Sequence, residues 1–159
     1  MYTTPPTYLS SFAIPTKDGK AAELLIKGDW RGHGELVFGV YDIRTGTDKL
    51  FSVQLPSTRE YPELVAVTAT SPKGETFCLY DPRKHPASLY AVLQNEKEFP
   101  HKPAEPFSCP SCDCESFAVA VGFEMPSDSS GPDDTSWFAL AVECSKCKWR
   151  DIIFDDETA

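Results

Sequence analysis

Apolar and polar residues alternate most cleanly over residues 115–124. Phe117, Val119, Val121 and Phe123 take every second position, with Ala118, Ala120 and Gly122 between them. A period of two is that of a β-strand, whose successive side chains point to opposite faces. One face of this strand is bulky, and the other is small enough for a neighbour to approach closely. Residues 136–143 and 148–155 predict two further strands, the first reached through a Pro/Ser/Asp/Gly loop at residues 125–135. Upstream, residues 35–43 and 50–55 read as strands about a turn at residues 44–49, which predicts a hairpin. A second hairpin is predicted from residues 63–70 and 75–80. Between them Ser71-Pro72-Lys73-Gly74 puts proline second and glycine fourth, as a type I turn favours. Residues 21–27 fit either a short helix or a first strand, and the reading favours a strand ending at Gly28. The best helix candidate is residues 86–95. Pro86 suits a first helical position there, and Leu89, Val92 and Leu93 share one face.

The pattern therefore describes a mainly β protein of β-rich α+β class. Residues 1–105 read as an antiparallel meander with one short helix, ending in a stiff linker marked by Pro100 and Pro103. Residues 106–159 read as a separate three-stranded unit with an acidic loop and tail. Docking of the two parts on each other is expected, because the second is too small for a large core of its own. Fourteen prolines and nine glycines agree with many turns and short elements. No apolar run approaches the ~20 residues that span a bilayer. The start Met1-Tyr2-Thr3-Thr4-Pro5-Pro6 has neither the basic nor the apolar part of a secretory signal. A cytoplasmic protein without membrane contact is the expectation.

Charge separates the two parts. The chain has a formal net charge of −9. Residues 1–105 hold 12 basic and 13 acidic side chains, net −1, whereas residues 106–159 hold 3 and 11, net −8. So acidic a segment repels phosphate backbones, which disfavours nucleic acid and favours a basic protein partner.

Six cysteines are present. Cys109-Pro110-Ser111-Cys112 and Cys144-Ser145-Lys146-Cys147 form two Cys-x-x-Cys turns, 31 residues apart. Each turn sets two thiolates on one side of an ion, and two turns complete the tetrahedron that Zn²⁺ prefers. A strand, loop and returning strand bring the two turns together. The same thiols could hold iron or pair as disulfides, and Cys114 competes with Cys112 as a ligand. With four cysteines no place remains for water, so the metal is expected to be structural and single. Cys78 is expected in the core.

Residues 107–155 resemble a zinc ribbon: knuckle, strand, loop, strand, knuckle, strand. In zinc ribbons a glycine often follows the second cysteine of a knuckle, in the left-handed conformation. Here Asp113 and Lys148 stand in those places. The tail 152–159 also resembles that of small bacterial zinc-ribbon proteins of toxin–immunity type. That resemblance implies a role in capping a basic toxin domain.

The remaining candidates are surface groups. Asp128, Asp133 and Asp134 form one acidic group, and Asp151, Asp155, Asp156 and Glu157 form another. With Trp149 they make the expected partner surface. His33, His85 and His101 are scattered, and no nucleophile or carboxylate pair accompanies them. Gly28, Gly32 and Gly34 do not match a phosphate-binding fingerprint. The reading is a non-enzymatic, acidic, inhibitor-type binding protein. The runner-up is a nucleic-acid-associated zinc ribbon of transcription or translation type, using Lys146, Lys148 and Arg150.

Overall fold

A computed structural model describes residues 4–15, 19–28, 30–31, 36–56, 66–81, 105–126 and 136–157. A 3₁₀ turn at Thr7–Leu9 leads into β1 (Ala13–Ile14) and helix α1 (Lys20–Lys27). Strands β2 (Leu36–Ile43), β3 (Ser52–Leu55), β4 (Val67–Thr70), β5 (Thr76–Tyr80) and β6 (Glu105–Pro106) follow. The last three are β7 (Phe117–Pro126), β8 (Trp137–Cys144) and β9 (Arg150–Glu157). They form two antiparallel sheets, in the orders β1-β2-β7-β8-β9 and β5-β4-β3-β6. The architecture is β-rich α+β, as the pattern predicts. The predicted helix at residues 86–95, most of the linker and the loop at 127–135 lie outside the described residues. Among the described residues no helix is long and apolar enough to cross a membrane.

The two faces of β7 explain the layering. Phe117, Val119, Val121 and Phe123 join Phe138, Leu140, Val142 and Phe154 against Val53, Val67, Leu79 and Tyr80 of the second sheet. The small face receives α1: Ala120, Ala139 and Ala141 pack on Ala21, Ala22, Leu25 and Trp30. Gly122 is fixed by that approach, since a Cβ there would stand 2.8 Å from Trp30 Cζ2. The indole is held in place, its N–H donating to the Leu25 carbonyl at 2.6 Å.

Two expectations are overturned. Residues 21–27 belong to a helix, not a strand. Ala21, Ala22 and Leu25 are its buried stripe, while Glu23 pairs with Lys20 and Lys27 along the solvent side. These residues are good helix formers, and the alanines fit a sheet face that has no room for larger side chains. The first predicted hairpin is also absent. β2 pairs with β1 and with seven residues of β7, from Leu36↔Pro126 to Asp42↔Ala120. β3 pairs with β4 and β6 instead. A tight turn closed between Thr45 and Asp48, with Gly46 at φ +58°, redirects the chain into the second sheet. Phe51 then stitches the sheets together by exchanging backbone hydrogen bonds with Phe117, at 2.8 and 2.9 Å. The second hairpin forms as expected about Ser71–Glu75, with Gly74 N–H donating to the Ser71 carbonyl at 2.9 Å.

β9 starts later than predicted and runs further, to Glu157. A register shift opposite Leu140 and Ala141 places Ile153 as an extra residue. The acidic residues Asp155 and Asp156 are therefore strand positions, paired with Ala139 and Phe138, and not a free tail.

Candidate metal centre

The β7–β8 hairpin sets Phe117 opposite Cys144, which carries the two Cys-x-x-Cys turns to one end of the sheet. Ser145 N–H donates to the Ser116 carbonyl at 3.0 Å and ties the turns together. The first turn lies between β6 and β7, the second between β8 and β9. Both follow one backbone plan. Cys109 N–H donates to the Cys114 carbonyl (2.8 Å), and Cys144 N–H to the Trp149 carbonyl (2.7 Å). Asp113 N–H donates back to Cys109 (2.8 Å), and Lys148 N–H to Cys144 (3.1 Å). The residue after each second cysteine is left-handed, with φ 63° at Asp113 and 65° at Lys148. These are the two places where the resemblance leads one to look for glycine.

Amides aim at the sulfurs in the same symmetric way. Lys146 N–H donates to Cys144 Sγ at 3.4 Å. The Cys147 amide also favours ionised Cys144, and those of Ser111 and Cys112 favour ionised Cys109. The Cys114 amide acts in the same way on Cys112, and the Trp149 amide on Cys147. Such donors stabilise thiolates. The Sγ atoms of Cys109, Cys112, Cys144 and Cys147 all lie within 4.8 Å of one another. The cross-turn separations Cys109–Cys147 and Cys112–Cys144 are 3.5 Å each. A tetrahedron with bonds of about 2.3 Å has sulfur–sulfur edges of roughly 3.8 Å, so the set matches a four-sulfur metal site. It does not match a disulfide, whose bond is about 2.05 Å. Cys109 and Cys144 are buried, Cys112 is half-buried and Cys147 is exposed.

The four thiols divide their protons unequally. Burial pushes Cys109 up, against the amides of Ser111 and Cys112. The Cys114 amide pulls Cys112 down, but burial and the neighbouring thiols push it up to about 12. Burial opposes ionisation of Cys144, yet the Cys147 and Lys146 amides bring it to about 6. The Trp149 amide lowers Cys147. Four anions cannot share so small a volume without a cation, so the donor set is one that a divalent ion completes.

Cys112 belongs to the cluster and Cys114 does not. The Cys114 thiol sits 3.7 Å from Ser145 Oγ and accepts from Ser116 N–H at 3.5 Å. Cys78 is half-buried rather than within the core.

Among the described residues, the acidic candidates for partner contact differ in exposure. Asp156 is half-buried and accepts a hydrogen bond from the Tyr80 hydroxyl at 2.8 Å. Burial first, and then this carboxylate, raise Tyr80 above the ordinary phenol range. Tyr80 in turn stacks on Phe138, centroids 4.5 Å apart and planes 5° apart. Asp155 is also half-buried, and Asp151 is exposed, capping Ile152 N–H at 2.8 Å. Trp149 is half-buried beside Phe107, with centroids 6.1 Å apart. Asp128, Asp133, Asp134 and the Glu157 side chain lie outside the described residues, as do His33, His85 and His101. Asp113, marked in the sequence only for its turn position, and Glu115 are both exposed carboxylates on the first knuckle, and their place beside the cysteines is the signal for them. Comparison with protein-family models, with curated proteins and with solved structures finds no match to this chain. The likeness to a zinc ribbon therefore rests on the cysteine pattern and its geometry.

Proposed function

We propose that this chain is a non-enzymatic binding protein held in shape by one structural Zn²⁺, whose acidic surface takes a basic protein partner. The observation that carries the metal reading is the cluster of four thiols, their sulfurs all within 4.8 Å of one another, at the ends of two matching turns. Four protein sulfurs leave no ligand place for a reacting water, so the ion serves the fold. Zn²⁺ suits a tetrahedral sulfur set and has no redox chemistry to control.

The charge of the chain supports the partner reading. A net charge of −9, with 11 acidic and 3 basic side chains after residue 105, favours association with a cationic surface. Among the described residues, Asp113 and Glu115 on the first knuckle and Asp151 just after the second are exposed carboxylates. The finer reading is an inhibitor of immunity type, in which the acidic surface covers a basic toxin domain.

A tagged pull-down from native cells at low and moderate salt, with a nuclease control, tests this. The expected result is one stoichiometric basic protein, released as salt rises. Replacing Asp113, Glu115 and Asp151 together by Asn or Gln is expected to weaken that complex and flatten its salt dependence while zinc content stays at one. Unchanged affinity and salt slope contradict the partner reading. Nuclease-sensitive capture favours the nucleic-acid alternative instead.

A further inference from the structure

An open groove of about 280 Å³ runs between α1 and β9. Lys20, Glu23, Leu24 and Lys27 line one wall, and Arg150 lines the other. The helical residues fall at i, i+3, i+4 and i+7, so a single stripe of α1 faces the groove. Glu23 lies between the two ammonium groups, 2.6 Å from Lys27 Nζ and 3.4 Å from Lys20 Nζ. It gathers both cations on this side of the helix. Arg150 is anchored through one nitrogen, Nη1 to Glu143 Oε2 at 3.4 Å. The cationic side chains remain substantially solvent-exposed, at 58% for Lys20, 72% for Lys27 and 44% for Arg150.

The three cations of the lining meet two carboxylates, Glu23 among them and Glu143 behind Arg150, which leaves a local excess of one positive charge on a chain whose net charge is −9. The neighbouring knuckle continues the same sign. Lys146 and Lys148 are exposed, so every basic residue after position 105 lies within the five positions 146–150. On a surface that repels anions, only such a local gathering of cations can hold one.

We infer that this groove is an anion site for the phosphoryl group of a small phosphorylated molecule. A guanidinium offers a planar fork to two phosphoryl oxygens, and two ammonium groups supply point charges to the third. A carboxylate, with two oxygens and one charge, uses only part of that set. The volume exceeds one phosphate and leaves room beside Leu24 for the group that carries it. A long polyanion is disfavoured by the acidic remainder of the chain.

The test is a titration of the metal-loaded full chain with inorganic phosphate at neutral pH and constant ionic strength, followed by amide NMR. A matched titration uses acetate. The expected result is saturating shifts confined to Lys20–Lys27, Glu143 and Arg150, and no saturation with acetate. Arg150→Gln, and Lys20→Gln with Lys27→Gln, are each expected to weaken phosphate binding about tenfold. Zinc content and fold stay unchanged in both, because the substituted side chains are exposed. Unsaturable shifts, an equal response to acetate, or native affinity in both variants overturns the inference. Each of these results is independent of the partner reading, which rests on other residues.

Discussion

Residues 109–114 and 144–149 trace the same backbone, with matching amide-to-carbonyl bonds and a left-handed residue at Asp113 and at Lys148. Their surfaces are opposite. The first knuckle carries Asp113 and Glu115, the second Lys146 and Lys148, with Arg150 directly after it. What the two turns share is what four sulfurs require: cysteine spacing, amides aimed at thiolates and a reversal after the second ligand. What they do not share is free of that requirement and available for recognition. The two knuckles thus differ in charge, although Asp151 of the proposed partner surface stands next to Arg150.

The largest effect comes from breaking the shared part. Cys144→Ser is expected to take zinc from one per chain to none, and to lower Tm by at least about 10 °C. Cys109→Ser is expected to match it, since both first cysteines are buried in the same core. Cys114→Ser is the control, expected to keep one zinc because its thiol lies outside the cluster. Metal analysis and a thermal melt of the three variants check this. Retention of zinc by Cys144→Ser contradicts the ligand assignment.

The next effect concerns what β9 does once it leaves the second knuckle. Tyr80→Phe removes a hydrogen bond to the half-buried Asp156 and is expected to cost about 1.5 kcal/mol. Its pH dependence has a definite sign. The folded chain holds the Tyr80 proton above its ordinary pKa, so the unfolded chain ionises first. Stability is therefore full below about pH 10 and falls as pH rises through that region. The Tyr80→Phe variant is expected to lose less on going alkaline than the native chain. A denaturant series from neutral to alkaline pH measures both. Parallel curves for the two proteins contradict the assignment.

The smallest effect sharpens the comparison between knuckles. A left-handed conformation costs an L-residue about 1–2 kcal/mol, and less for Asp than for Lys. Lys148→Gly is thus expected to stabilise the metal-loaded chain by about 1 kcal/mol, and Asp113→Gly by less. Equal effects, or destabilisation by both, indicate that these side chains make contacts that matter more than backbone strain.

The strands of the C-terminal part and the meeting of four cysteines were legible in the sequence, because each depends on local spacing. The alternation over residues 117–123 gives both faces of β7 correctly, including the small one. The four-cysteine cluster follows from two Cys-x-x-Cys turns joined by a hairpin. The occupant of the small face was less legible: α1 is eight residues long, too short to show a clear period. The pairing of β2 with β7 joins residues some eighty positions apart in sequence, and no local signal encodes such a partner. Asp156 reads as tail acid because burial of a polar residue by Tyr80 is a tertiary event. The cations of the groove were hidden for a similar reason, since Lys20, Lys27 and Arg150 meet only when α1 packs on the sheet.

Whether four cysteines hold one structural zinc in this chain is open to direct measurement. Native mass spectrometry of the chain purified under reducing conditions, paired with elemental analysis, tests it most directly. The expected result is a single added zinc, lost on acidification as the thiolates are protonated, with loss of the native fold on chelation. A chain that folds stably without metal, or whose mass shows two disulfides instead, contradicts it.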